Sequence, residues 1–242
     1  MHINLDDKSV SKFQMVLKSA TGLPGVKIDR DTYLRKELSK YYPDEKVNWA
    51  IDLNPAQAGI SVDEIKKIAK ECINYETNQV SLISTAAGIP GGFAMIGTVP
   101  ADVAQYFGHI LRVLQKLVYL YGWENLYDSN GELNDETMNM LTLFMGVMFG
   151  VNSATTTIAK LANTSAQKAS KSIAQKALTK TWLYPIVKKI MAILGVKITK
   201  DTFAKGVAKI IPVAGGILSG ALTYATFKPM AIKLKNHLLA LP

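Results

Sequence analysis

Hydrophobic residues recur along the chain mainly at helical spacing, and no segment shows the alternation that is typical of a strand. Residues 8–20 form a short amphipathic stretch, and a Pro-Gly turn within residues 23–38 leads into a second helix. Ser61 and Glu64 form a capping-box signature, which starts a helix that runs to about Thr85. One face of that helix is predicted to carry Ile65, Ile68, Cys72, Tyr75 and Gln79. We therefore predict an all-α fold: a single compact multi-helix bundle with a glycine-rich C-terminal helical segment.

A largely apolar helix is predicted to begin near Pro100 and to end at Gly122. Proline suits a first helical turn, and an acid such as Asp102 suits the positive end of the helix dipole. The polar residues of this helix form one narrow stripe, which comprises Asp102, Gln105, His109, Arg112, Gln115 and Lys116. Because the remaining faces are apolar, we expect this helix to be central to the fold, with Leu114 and Leu117 buried.

Three segments carry no charged residue: 80–101, 137–159 and 210–227. Each is about long enough to cross a membrane, but serine, threonine and glycine dilute its hydrophobicity. We expect buried helices, and the sequence leaves open whether 209–227 inserts into lipid. Small residues allow helices to approach closely, and the predicted helix-packing glycines are Gly91, Gly92, Gly97, Gly146, Gly150, Gly215, Gly216 and Gly220.

Charge is distributed unevenly along the chain. Residues 1–152 contain 14 Lys and Arg against 18 Asp and Glu, a net charge of −4. Residues 153–242 contain 14 lysines against one acid, Asp201, a net charge of +13, and the two parts sum to +9. We treat residues 1–242 as one domain with an acidic N-terminal part and a lysine-rich C-terminal part. Such a one-sided field selects partners rather than folds.

The lysine-rich part suits an anionic surface, since each lysine close to anionic headgroups contributes about 1 kcal/mol. The candidates for contact with a membrane or another anionic surface are Lys160, Lys168, Lys171, Lys188 and Lys189. The alternative is that these lysines are solvated helix faces. Nucleic acid is not an expected partner, because residues 153–242 contain no arginine and few aromatic residues between the lysines.

The sequence shows no pattern of catalytic, cofactor-binding or metal-binding residues, and we predict no cofactor and no metal. Cys72 is the only cysteine, and the three histidines are too scattered for a metal motif. The acidic loop 128–136 does not place glycine and glutamate as a calcium loop requires. The glycine-rich segment 92–98 lacks the lysine of a phosphate-binding loop.

The polar stripe is the one feature with candidate chemistry. Asp102 and His109 are two helical turns apart, and with Arg112 they could act as acid–base or anion-binding groups. Alternatively, the stripe faces solvent or forms a buried ionic network that orients helices. Asp102, Gln105, His109 and Arg112 are therefore predicted as a ligand site or an ion-pair site.

Three segments together resemble the EcsC family of bacterial proteins: 24–36, 88–122 and 209–227. The most specific match is to that family's acid-to-arginine-to-Tyr-Gly helix, and it is carried by Pro100, Asp102, Ala104, Arg112, Tyr121 and Gly122. The Pro-Val-Ala-Gly-Gly turn at 212–216 fits the family's C-terminal pattern. The resemblance covers roughly residues 22–235, although 38–60 match nothing. It implies no established enzymatic mechanism, and it implies work near the membrane, because the namesake's operon encodes an ABC transporter linked to secretion.

The leading hypothesis is a non-enzymatic, membrane-associated helical protein that binds anionic lipid or a membrane complex. The alternatives are a soluble adaptor or regulator that binds protein partners, such as an ABC transporter component, and an enzyme that uses Asp102, His109 and Arg112. Self-association is left open. Asp6 and Asp7 lie near the start of the given sequence, and no apolar run follows them, as one would in a signal peptide. We expect a cytoplasmic location, peripheral at the inner face of the bacterial cell membrane.

Overall fold

The computed structural model describes residues 5–87, 95–96, 99–127, 131–163, 180–198 and 214–241. Within these ranges the predicted all-α fold is confirmed, and nine helices are present: α1 (Leu5–Thr21), α2 (Arg30–Leu38), α3 (Asp44–Asp52), α4 (Val62–Ala87), α5 (Ala101–Leu120), α6 (Asp135–Met148), α7 (Asn152–Asn163), α8 (Lys180–Ile198) and α9 (Ala214–Leu239). The extended residues in the described ranges form one short antiparallel pair, β1 (Met95–Ile96) with β2 (Val99–Pro100).

Side-chain caps fix where several helices begin. The carboxylate of Asp29 accepts a hydrogen bond from the backbone N–H of Thr32 at the start of α2, and Asn134 accepts one from Thr137 at the start of α6. The predicted capping box before α4 is present: the N–H of Ser61 donates to Glu64, and the N–H of Glu64 donates back to the Ser61 hydroxyl.

The helix α5 lies at the centre of the bundle, as its narrow polar stripe predicts. It packs against α1, α2, α4, α6 and α9. Leu114 and Leu117 are fully buried, which confirms that expectation. The two longest helices, α4 and α9, pack extensively along each other, and α8 packs against α1 and α6.

Glycines with positive φ end two of the buried helices. Gly122 has φ +87° after α5, and Gly150 has φ +71° after α6. At each site the glycine N–H and the next residue's N–H bond back to carbonyls of the last turn, as in a Schellman motif. A side chain at either position would strain the backbone, because L-residues rarely adopt these dihedral angles.

Several elements of the structure were not predicted. The sequence analysis did not predict α3. Proline usually lies at a helix end, but Pro185 lies inside α8, which starts at Lys180. The lysines beyond residue 227 belong to α9, whose buried face continues through Ala231, Leu234 and Leu238.

The charge-free segment 137–159 is enclosed only in part: α6 is buried along most of its length, whereas α7 buries Ala154 and Ile158 and exposes its other face. No helix in the described part of the chain has the length and apolar character needed to cross a membrane. Residues 88–94 and 97–98 of the segment 80–101, and residues 210–213 of the segment 210–227, lie outside the described residues.

Candidate functional site

Three basic side chains of α5 converge on one buried carboxylate of α4. Glu76 has no solvent exposure, and its oxygens lie 3.1 Å from Nδ1 of His109, 3.2 Å from Nε of Arg112 and 2.7 Å from Nζ of Lys116. The three bases are spaced at i, i+3 and i+7, so one face of α5 presents all of them. We call Glu76, His109, Arg112 and Lys116 the ionic cluster.

The basic partners keep Glu76 ionised in the protein interior. Burial alone would raise the pKa of this carboxyl group, since a charge is poorly solvated there. The hydrogen bond from His109 and the charges of Lys116 and Arg112 outweigh burial and lower the pKa of Glu76 to about 2. At neutral pH the cluster therefore holds one carboxylate against at least two cations.

Two tyrosine rings and a thiol lie close to the ionic cluster. The ammonium group of Lys116 lies 5.8 Å from the ring centroid of Tyr33 and 5.4 Å from that of Tyr75. Burial raises the pKa of the nearby Cys72 thiol to about 12, although the charge of Lys116 opposes that rise. Cys72 is therefore a protonated thiol at neutral pH and not an activated nucleophile.

A tight turn covers the adjacent part of α5. The N–H of Val26 bonds to the carbonyl of Leu23, and Gly25 has φ +70°, as in a type II turn with proline at its second position. The guanidinium of Arg112 lies 3.4 Å from the place where a Cβ at Gly25 would sit, an ordinary contact, so the positive φ rather than lack of space disfavours a larger residue there.

The side-chain amide of Gln115 holds the same turn in place. Its oxygen accepts from the N–H of Ile28 at 2.9 Å, and its nitrogen donates to the carbonyl of Val26 at 2.9 Å. Gln115 is fully buried, so both ends of the amide have partners where water cannot supply them. The turn, α4 and α2 together enclose much of the predicted polar stripe.

The structure brings together part of the predicted stripe. His109 and Arg112 meet at Glu76, while Gln105 is partly buried and contributes nothing to this cluster. The side chain of Asp102 lies outside the described residues. Of the two interpretations left open, the observed contacts of His109 and Arg112 are those of an ion-pair network between α4 and α5.

Glu76 was missed by the sequence analysis. The buried face of α4 runs through Ile65, Ala69, Ile73 and Val80, and Glu76 occupies the same face. The predicted face included Tyr75 instead, which is exposed. A glutamate placed between apolar residues at helical spacing was the available signal, because a buried acid requires basic partners from a neighbouring helix.

A second group of basic residues lies on the surface, near the C-terminal end of α6. The Nζ of Lys189 donates to the carbonyl of Gly150 at 2.9 Å, and the Nζ of Lys233 lies 2.9 Å from the place where a Cβ at Gly150 would sit. Lys188, Lys189 and Lys233 are all exposed. We call these three residues the lysine cluster, and the negative end of the α6 dipole favours the charges of Lys189 and Lys233, which lie closest to it.

The C-terminal helices, which include the two that carry the lysine cluster, supply no acidic residue. Between them α7, α8 and α9 contain no Asp or Glu. Two lysines lie one turn after a tyrosine and close to its ring: Lys188 with Tyr184 at 5.7 Å, and Lys228 with Tyr224 at 5.3 Å. These helices therefore place lysine ammonium groups next to aromatic rings and contribute no carboxylate themselves.

The remaining predicted lysines and glycines have different outcomes. Lys160 is exposed on α7, whereas Lys168 and Lys171 lie outside the described residues.

Gly146 lies at a close helix contact, since a Cβ there would be 2.7 Å from Cβ of Ala154 and 2.8 Å from Cγ2 of Ile186. Gly150 ends α6 instead of packing within a helix. The structure does not describe the surroundings of Gly91, Gly92, Gly97, Gly215, Gly216 and Gly220.

Among the described residues, no three His, Cys, Asp or Glu side chains are grouped so that they could hold a metal ion. Comparisons of the chain with protein families, curated proteins and solved structures gave no match. The resemblance to the EcsC family therefore stays a prediction.

Proposed function

We propose that the protein binds anionic membrane surfaces through its lysine-rich part and has no catalytic role. The observation that carries this proposal is the lysine cluster: the exposed Lys189 of α8 and Lys233 of α9 meet beside Gly150, and the exposed Lys188 is adjacent to Lys189 in α8. Neither helix contains an acidic residue. We further propose a peripheral location at the inner face of a bacterial cell membrane. The EcsC-like segments support that location only as a resemblance.

The energetics favour reversible attachment. At about 1 kcal/mol for each lysine close to anionic headgroups, the lysine cluster contributes about 3 kcal/mol. Screening at physiological salt limits this attraction to a range of about 8 Å, so only lysines that reach the surface take part. Electrostatic attraction alone therefore brings the protein to the membrane without holding it tightly.

Aromatic residues on the same helices would strengthen attachment. Tyr224 is exposed on α9, and its hydroxyl accepts a hydrogen bond from Lys228 at 3.2 Å. Tyrosine is enriched at membrane–water interfaces because its ring is apolar and its hydroxyl is polar. Lysine and tyrosine side by side suit the headgroup region of a bilayer.

A catalytic role for the polar stripe has less support. His109 and Arg112 already contact Glu76, and the nearby Cys72 is protonated. The carboxylate of Glu76 orients His109 in a way that a catalytic base would also use, but the described residues near it include no activated nucleophile. The alternative of an adaptor that binds proteins is favoured by a separate surface, on α3.

Vesicle flotation tests the proposal directly. We expect the wild-type protein to float with vesicles that contain phosphatidylglycerol and to bind vesicles of pure phosphatidylcholine poorly. Binding to the anionic vesicles should weaken as salt is raised, because the lysines are screened. Protein that stays unbound on anionic vesicles at low salt would contradict the proposal, as would equal binding to both vesicle types.

A further inference from the structure

The outward face of α3 is an exposed aromatic surface between carboxylates. Trp49 is 53% exposed and Leu53 at the end of the helix is 54% exposed. At about 100° per residue, Glu45, Trp49 and Asp52 lie within one narrow sector of the helix surface, and all three are exposed. We call Glu45, Trp49, Asp52 and Leu53 the α3 face.

The α3 face makes few contacts within the described part of the chain. Its helix packs chiefly against α2. The ion pairs formed among described residues do not include Glu45 or Asp52, and the cation–π contacts there all use tyrosine rings. An exposed tryptophan beside an exposed leucine is typical of an interaction surface, where tryptophan often dominates the binding energy.

The chemistry of the α3 face selects a cationic partner. An indole ring attracts an ammonium or guanidinium group to its face more strongly than other aromatic rings do. Carboxylates at Glu45 and Asp52, about one turn to either side of Trp49, would pair with that cation and repel an anionic surface. The face therefore fits a protein surface rich in lysine and does not fit an anionic membrane.

This chain itself carries a surface of that chemistry. The lysine cluster is exposed, and residues 153–242 have a net charge of +13 against −4 for residues 1–152. We infer that the α3 face of one molecule binds the lysine cluster of a second copy of this chain. The two surfaces differ, so the contact is head to tail and can extend into longer chains of molecules.

Sedimentation velocity without lipid tests this inference, using two variants. The face variant carries Glu45→Gln, Trp49→Ala and Asp52→Asn, and the lysine variant carries Lys188→Gln, Lys189→Gln and Lys233→Gln. We expect wild-type protein to self-associate at low salt and to dissociate at high salt. Each variant alone should associate at least about thirtyfold more weakly, as expected for loss of a binding hot spot.

A mixture of the two variants gives the decisive result. The face variant keeps its lysine cluster and the lysine variant keeps its α3 face, so the mixture should form a closed 1:1 dimer that cannot extend. Recovery of association also shows that both variants are folded. The control variant carries Leu82→Ala and Glu71→Gln, which change an exposed leucine and an exposed acid on α4. It should self-associate as strongly as the wild-type protein.

Three results would overturn the inference. They are wild-type protein that remains monomeric at low salt, a mixture that forms no dimer, and association that depends on the α3 face but not on the lysine cluster. Because no lipid is present, failure here is distinguishable from failure of membrane binding, which vesicle flotation measures separately.

Discussion

Glu76 is fully buried, and three basic side chains from α5 stabilise its charge. Replacement of both partners of a buried ion pair by apolar groups often changes stability little. Removal of one partner destabilises the protein, because the other charge is left without compensation. The ionic cluster therefore fixes how α4 and α5 face each other, and each of its members depends on the carboxylate.

Replacement of Glu76 by glutamine should destabilise the protein by about 3 kcal/mol, because Arg112 and Lys116 lose their counter-charge in a poorly solvated place. Urea denaturation followed by circular dichroism measures this loss. Glu71→Gln is the matched control, since it makes the same change at an exposed position of α4 and should alter stability by less than about 0.5 kcal/mol. Equal effects of the two substitutions would show that the cluster contributes nothing specific.

The same residue predicts a pH dependence with a defined sign. The pKa of Glu76 falls from 4.5 to about 2 on folding, so the unfolded chain binds the proton more readily than the folded protein does. The stability that this carboxylate contributes is thus fully present above about pH 4.5 and is lost as the pH falls toward 2. A shift of this size corresponds to about 3 kcal/mol.

We therefore expect the difference in unfolding free energy between wild-type protein and Glu76→Gln to shrink as the pH is lowered from about 5 to about 2. Urea denaturation of both proteins across this range gives the difference at each pH. A difference that stays constant would mean that the pKa of Glu76 is not lowered in the folded protein.

At the level of helices, close packing around Gly146 sets the distance from α6 to its neighbours. A methyl group at this position would lie 2.7 Å from Cβ of Ala154 on α7 and 2.8 Å from Cγ2 of Ile186 on α8. Both distances are shorter than normal contacts, so two helices would have to move.

Gly146→Ala should therefore cost about 1–3 kcal/mol of stability, as overpacking of a core does, despite the higher helix propensity of alanine. Thermal unfolding measures this effect. In the control variant Gly22→Ala, the added methyl group would be 3.4 Å from the nearest atom, an ordinary contact. A Gly146→Ala variant as stable as wild-type protein would show that α7 and α8 adjust without cost.

The sequence predicted helix ends where a capping residue or a glycine marks them. The capping box at Ser61 and the glycine at Gly122 indicated the start of α4 and the end of α5. In contrast, α3 has nine residues and no side-chain cap, so nothing local distinguished it from a loop. Proline usually marks a helix boundary, but Pro185 lies in the second turn of α8, where it removes at most one intrahelical hydrogen bond.

For the candidate sites, the sequence predicted which residues share a helix face but not which residues of different helices meet. The periodicity of α5 predicted that His109 and Arg112 share a stripe, but not that Glu76 of α4 would meet them, since that contact depends on how two helices pack. The lysine-rich composition was plain in the sequence. The meeting of Lys189 and Lys233 beside Gly150 was not, because these residues lie on different helices.

Across the whole molecule, opposite charges are concentrated in different parts of the chain. The lysine-rich part carries +13 and the remainder −4, while the acid on the buried face of α4 is already neutralised inside the bundle. We propose that the lysines of the C-terminal helices bind anionic membranes. We propose also that the α3 face binds the lysine cluster of another copy.

The central claim is that the position of the lysines, rather than total charge, drives membrane binding. Two variants of equal net charge test it by vesicle flotation. One replaces Lys160, Lys168, Lys171, Lys188 and Lys189 by glutamine. The other replaces five exposed lysines of the N-terminal part by glutamine, namely Lys18, Lys27, Lys36, Lys67 and Lys70.

We expect the first variant to bind anionic vesicles about a hundredfold more weakly than wild-type protein, which corresponds to loss of about three lysines in contact with the surface. The second variant should bind nearly as well as wild-type protein, with unchanged helical content in both. Equal weakening of the two variants would contradict the claim, because binding would then follow total charge and no particular surface.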